Sequence, residues 1–164
     1  MWFCTGSPRV YLSPIMKTIF DSNTYQEVVR RVESLQPGTS RQWGKMSVAQ
    51  MLEHNSRAIE MATGKRKTQQ AFLGKLIGWI FKEDFVGEKP FGKKGPTGPD
   101  FIVAGEPDFV ETKNKVKALL SDLHRMGEKG CDGNIHGFFG RMTGAEWGVT
   151  QYKHLDHHLR QFGA

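Results

Sequence analysis

A chain of 164 residues, 38% hydrophobic and 24% charged, is long enough to bury one core and has the composition of neither a disordered nor a fibrous protein. With two cysteines, no run of 18 apolar residues and no basic stretch leading into an apolar one, it is expected to be soluble and cytoplasmic, without a disulfide framework, a membrane span or a secretion signal. The net charge of +6 admits an anionic partner. However, Lys65-Arg66-Lys67 sits at a predicted helix end and Lys93-Lys94 in a Gly/Pro loop, with no RNP, helix-turn-helix or zinc-finger signature beside them, so nucleic-acid binding is not expected.

Residues 1–15 precede the first amphipathic pattern. They are expected to be a disordered or non-native extension of a chain that begins naturally at Met16, with residues 16–164 forming one domain. Tyr25, Val28, Val29, Val32 and Leu35 recur at helical spacing and predict a helix from about Asp21 to Leu35, ended by Pro37-Gly38. Ser47, with Gln50 three residues on, is a capping box that opens a second helix through Met51, Leu52, Ala58, Ile59 and Ala62, closed by Gly64. Trp43, between them, is expected to plug one end of the core.

A third helix is expected over Gln70 to about Lys82, although Gly74 and Gly78 each cost it about 1 kcal/mol relative to alanine. Its Phe72, Trp79 and Phe81, with Phe85 beyond, would mark a partner-binding face if left exposed but read more readily as core residues. Glu83 to Glu106 is rich in glycine and carries Pro90, Pro96 and Pro99, which predicts a long loop, either a lid over a site or a mobile segment. Pro107 suits the first turn of a fourth helix with Phe109, Val110, Val116, Leu119, Leu120, Leu123 and Met126 as its stripe and Gly127 or Gly130 as its stop. A glycine-rich turn then reaches Thr143 and Glu146, a second capping box opening a last helix to Phe162. With no segment of strand periodicity, the expected fold is all-α: a bundle of four long helices with an extra short one and a long Gly/Pro-rich loop.

Three of the six histidines crowd the last helix. On its wheel Trp147, Gln151, Leu155, His158 and Phe162 share one arc with His154 beside them, so His154 and His158, one turn apart, face the core and can bind one divalent ion. A third ligand should come from a neighbouring helix, and His54 is the candidate on the second. The wheel sets it toward the edge of the apolar stripe and permits, without requiring, an inward position. The alternative for the pair is a set of core-edge histidines with ordinary hydrogen bonds.

The chain resembles the DinB/YfiT-like metal-binding four-helix bundles, in particular a branch of unknown function, over about Met16 to Gly163. The resemblance rests on Trp43-Gly-Lys-Met-Ser47-Val-Ala-Gln-Met-Leu-Glu-His54, on His136-Gly-Phe-Phe-Gly-Arg-Met-Thr143, and on Trp147 through Gln161 with its H-x-x-x-H. It implies that the family's three metal-binding histidines correspond to His54, His154 and His158. The loop from Glu83 to Glu106 is longer than compact members of that family need, so their active-site covering does not carry over.

Three neutral imidazoles leave a divalent ion its charge and an open position, a catalytic rather than a structural stoichiometry. Zinc is the default metal, with nickel, iron or manganese as alternatives. The resemblance implies an enzyme in which the ion activates a low-molecular-weight thiol for transfer to a small electrophilic substrate. The alternatives are a metal-dependent hydrolase and a non-catalytic bundle binding a metal or an anion. His157 and His136 are weak catalytic candidates: the first reads more readily as a surface residue, and the second either lines the pocket mouth or ties down its turn. Gln50 and Glu53 neighbour His54 but also serve as capping and solvated residues, and His124 reads as packing or surface. Gly92-Lys-Lys-Gly95 lacks the spacing of a phosphate loop. A small-molecule substrate is expected, and a two-fold homodimer is compatible with base rates, at an interface the sequence does not place.

Overall fold

The computed structural model describes residues 16–87, 89–93, 95 and 97–164; the expected N-terminal extension lies outside them. The described residues form five α-helices: α1 Ser22–Ser34, α2 Val48–Ala62, α3 Phe72–Val86, α4 Phe109–Cys131 and α5 Gly144–Gln161. The all-α class is as expected from the sequence. Each of the four helices that build the bundle starts at a side-chain cap. Asp21, Ser47, Asp108 and Thr143 accept from backbone amides of the first turns of α1, α2, α4 and α5, and Ser47 and Thr143 complete capping boxes with Gln50 and Glu146. Such caps satisfy donors that a helix leaves free, at about 1 kcal/mol each.

Helix α2 lies against α4 and α5, and α1 closes the bundle by packing on α4 and α5. Their shared interior holds Val28, Val32, Leu52, Ile59, Leu120, Leu123, Trp147 and Leu155, all essentially sealed from solvent. Burial of each such side chain contributes about 1.5–3 kcal/mol, and this interior holds the helices in register. Helix α3 stands outside this core, against α5 and a small hairpin.

Several expectations are corrected. The loop begins later than Glu83, because the helical turn Glu83–Val86 precedes the first breaker, Gly87, and the loop itself contains a 3-10 turn, Pro99–Phe101. Pro107 lies outside α4, whose N-cap is Asp108, and Val110 of the expected stripe is exposed. Gly127, expected to stop α4, adopts φ 62° and breaks its helical geometry, after which the chain resumes helix to Cys131. A two-residue antiparallel ladder, β1 Ile135–His136 with β2 Gly140–Arg141, forms where no strand was expected. Its pairing comes from the turn's own geometry rather than from alternating apolar residues.

The aromatic residues of α3 are not core: Phe72, Trp79 and Phe81 are exposed and Phe85 is half-buried. Trp43 is also only half-buried. It lies at one rim of the histidine cluster, edge-on to His157 with ring centroids 5.8 Å apart, and does not plug the bundle end. No described helix is long and apolar enough to cross a membrane.

Candidate metal centre

The histidine pair singled out by spacing and the candidate His54 come together between α2 and α5. One ligand nitrogen from each of His54, His154 and His158 lies within 4.8 Å of the others. His54 and His158 are buried and His154 is half-buried. Nε2 of His54 and Nε2 of His154 stand 3.0 Å apart. Two imidazole nitrogens bound to one tetrahedral zinc stand about 3.3 Å apart, so the cluster is of metal-binding dimensions.

The partners behind the rings determine which nitrogens face inward. His54 Nδ1 lies 3.0 Å from the Phe101 carbonyl oxygen, which only accepts, so Nδ1 carries the proton and Nε2 presents its lone pair. Gln161 Nε2 donates to the Trp43 carbonyl at 2.8 Å, which turns Gln161 Oε1 toward His158 Nδ1, 2.9 Å away. His158 Nδ1 is therefore the donor, and its Nε2 is also left free. Such outer partners fix the tautomer and orientation of metal-binding histidines. His154 differs: its Nδ1 is sealed from solvent with no hydrogen-bond partner.

Burial holds His158 down to about 3 and lowers His54 and His154 as well. A charged ring would lose its hydration there, and the neighbouring imidazoles add to the effect for His154 and His158. All three are thus neutral at neutral pH, the state a metal requires. The three-imidazole donor set, with the Nε2 lone pairs of His54 and His158 left free, fits a divalent transition metal.

The loop covers one side of the cluster. Arg57, one turn after His54, donates to the carbonyls of Asp100 and Ile102 at 3.0 and 3.1 Å, and so holds Phe101 edge-on to the His54 ring at 5.7 Å. At its far end Gln50 Nε2 donates to the Gly105 carbonyl and the Ser47 hydroxyl to Glu106. Gln50 is therefore both cap and loop anchor, whereas Glu53 pairs with Arg57 and Lys115. On the other side Lys153, buried on α5, donates to the carbonyls of Asp84, Phe85 and Gly87, which ties the C-terminus of α3 to the helix that bears two of the histidines.

His157 is half-buried, not a surface residue, with its ring 5.0 Å from that of His158 and 6.4 Å from Phe91. Burial lowers its pKa. His136 ties down its turn: Nδ1 accepts from the amides of Phe138 and Phe139 while the ring packs against Phe85, Phe139 and Trp147. His124 stacks on Tyr25 at 4.3 Å and serves packing. Two members of the Lys65-Arg66-Lys67 cluster are paired, Lys65 with Asp122 and Arg66 with Glu60.

Sequence reasoning missed Phe101, Arg57 and Gln161. Gln161 carried a usable signal, three residues beyond His158 on the same helix face. Phe101 carried none, because it acts through a backbone carbonyl delivered by a loop.

The sequence profile of the family described as "Protein of unknown function (DUF1569)" matches residues 15–164. The chain belongs to this DUF1569 family. Comparison with curated proteins and with solved structures gave no match. The matched span takes in all three histidines of this DUF1569 member, the described part of the loop over them and every helix among the described residues.

Proposed function

We propose that the protein is a divalent-metal-dependent enzyme of the DinB-like superfamily, in which His54, His154 and His158 hold one ion and a low-molecular-weight thiol is activated for transfer to a small electrophilic substrate. The observation that carries this reading is the convergence of three neutral imidazole nitrogens, two of them oriented from behind by Phe101 and Gln161. No fourth cysteine, histidine or carboxylate joins the group among the described residues, consistent with a position left for a thiol or water. An ion held by three neutral ligands retains its full charge and lowers the pKa of a bound thiol or water toward neutrality.

The chain's own residues supply the rest. Trp43, Phe91 and Phe101 present an apolar rim beside the histidines, which strengthens electrostatic interactions by keeping water away. His157, neutral at neutral pH and next to His158, is the group we assign to proton transfer. Arg57 and Gln50 hold the loop in place and so hold His54 in its tautomer.

The test is elemental analysis of protein purified without affinity tag or chelator, beside a His154→Ala, His158→Ala double variant. Near one equivalent of a transition metal in the parent, lost in the variant, supports the site. Thiol consumption with electrophilic substrates, absent from the variant, then supports the reaction. A parent that holds no more metal than the variant after incubation with zinc, nickel, manganese or iron refutes the reading.

A further inference from the structure

Two of the three histidines have an acceptor behind them, the Phe101 carbonyl for His54 and Gln161 Oε1 for His158, and the third has none. Nε2 of His154 is the nitrogen that meets His54, so Nδ1 is the outward one. A neutral imidazole that binds a metal through Nε2 carries its proton on Nδ1, and a sealed N–H without an acceptor bears the full cost of its lost hydration. Metal-binding histidines almost always give that proton to a carboxylate, a carbonyl or water.

The preceding turn of α5 holds an acceptor in the complementary condition. Gln151, 1% exposed, donates from Nε2 to the Ala58 carbonyl of α2 at 3.2 Å, while its Oε1 is sealed from solvent with no partner. It stands three residues before His154, a spacing that sets two side chains next to each other on one helix face. Gln161, three residues after His158, shows what such a glutamine does: its Nε2 is anchored on the Trp43 carbonyl, and its Oε1 is thereby turned to the ring. The run Gln151-x-x-His154-x-x-x-His158-x-x-Gln161 is thus symmetric about the histidine pair. Both amides are anchored by nitrogen on a backbone carbonyl outside α5, and the oxygen of Gln151 is still unspent. The other sealed, unpartnered oxygens on α2 and α5 are less free to move. Asn55 is held on its own helix by the carbonyl and the sulfur of Met51, and Ser56 and Thr150 carry their hydroxyls on Cβ, one torsion from the backbone. Gln151 has three side-chain torsions and a single tether at the long end of the hydrogen-bond range.

We propose, on the reading that His54, His154 and His158 hold one ion, that Gln151 is the positioning residue of His154: with the ion in place, His154 Nδ1–H donates to Gln151 Oε1. Each of the three rings then has its own acceptor, one from the loop and two from α5. Because the Gln151 amide is also bonded to α2, it fixes the His154 ring relative to the helix that carries His54. The acceptor raises the basicity of the ligand nitrogen as well as orienting the ring.

Zinc affinity by chelator competition and nitrogen-15 NMR of the histidine rings in the zinc-loaded full chain test this, with circular dichroism to confirm that each variant is folded. Gln151→Met keeps the side-chain volume and removes the oxygen; it is expected to bind zinc about 10–100-fold more weakly. Thr150→Val is expected to bind zinc as the parent does. In the loaded parent the ring spectra should place the His154 proton on Nδ1, protected from exchange with water and in Overhauser contact with the Gln151 side chain. In Gln151→Met the same proton should move upfield, which a loss of packing alone would not produce. Parent-like zinc affinity in Gln151→Met overturns the proposal, and so does a loss of affinity in Thr150→Val that matches or exceeds that in Gln151→Met. A His154 proton without contact to Gln151 in the loaded parent also overturns it, and this measurement decides the matter if Gln151→Met does not fold. These outcomes, in a parent that binds zinc, leave the three-histidine site standing; a parent that takes up no zinc overturns the site and the role of Gln151 together.

Discussion

His136 sets a measurable acid limit on the fold. Burial, with a smaller contribution from Lys82, lowers its pKa from the ordinary 6.5 to about 4. Protonation would also abolish the Nδ1 lone pair that accepts from Phe138 and Phe139. The folded value lies below the unfolded one, so between about pH 6.5 and 4 the unfolded chain binds the extra proton. Stability from this group is fully present above pH 6.5 and is lost as pH falls toward 4. Linkage gives a loss of about 2 kcal/mol at pH 5, or about 4–8 °C in Tm for a chain of this size. The control is His136→Asn, whose Oδ1 occupies the acceptor position without titrating. It gives up ring packing against Phe85, Phe139 and Trp147 at all pH values alike. Urea unfolding at pH 7.5 and pH 5.0, with a chelator present, should show the parent losing about 2 kcal/mol more than the variant. Equal losses in the two proteins would refute the assignment of a buried neutral ring.

Zinc at a hundredfold excess over its dissociation constant should stabilise the parent by about 2.7 kcal/mol and raise Tm by roughly 5–10 °C in differential scanning fluorimetry; the shift should vanish in His158→Ala. Gln161→Ala and Arg57→Ala, which release His158 and the loop carbonyl behind His54, should weaken metal binding about 10–100-fold in a chelator competition while the bundle stays folded. Leu123→Ala, at a fully buried position, should cost about 2–5 kcal/mol in denaturant unfolding. Cys131 is buried and its thiol is pushed up to about 11; in a Cys4→Ser background it should react with a disulfide reagent only at the rate of unfolding.

What one stretch of chain can encode locally was legible. Ser47 with Gln50 and Thr143 with Glu146 mark their own helix starts, because a cap needs only an acceptor and a nearby free amide. The i,i+4 spacing of His154 and His158 likewise puts two imidazoles on one side of α5 whatever surrounds it, and the Trp147 and Leu155 burial pattern shows that side to be the inner one. His54 was legible only as a candidate, since a position at the edge of a stripe is resolved by what packs beside it.

Tertiary structure decided the rest. In α3 the apolar pattern implied burial of Phe72 and Trp79, but the helix docks by its glycines, and backbone contact with Phe138 outweighs the larger side chains because no Cβ fits there. Hydrophobicity alone does not say which face of such a helix is inside. The loop is the second case: a carbonyl is identical at every residue, so nothing in the sequence marks that of Phe101 as the one that orients His54. Helix starts, the inner face of α5 and its histidine pair follow from local periodicity in this sequence. The glycine-docked helix and the loop carbonyl behind the cluster depend on contacts between distant segments, which exist only once the chain has folded.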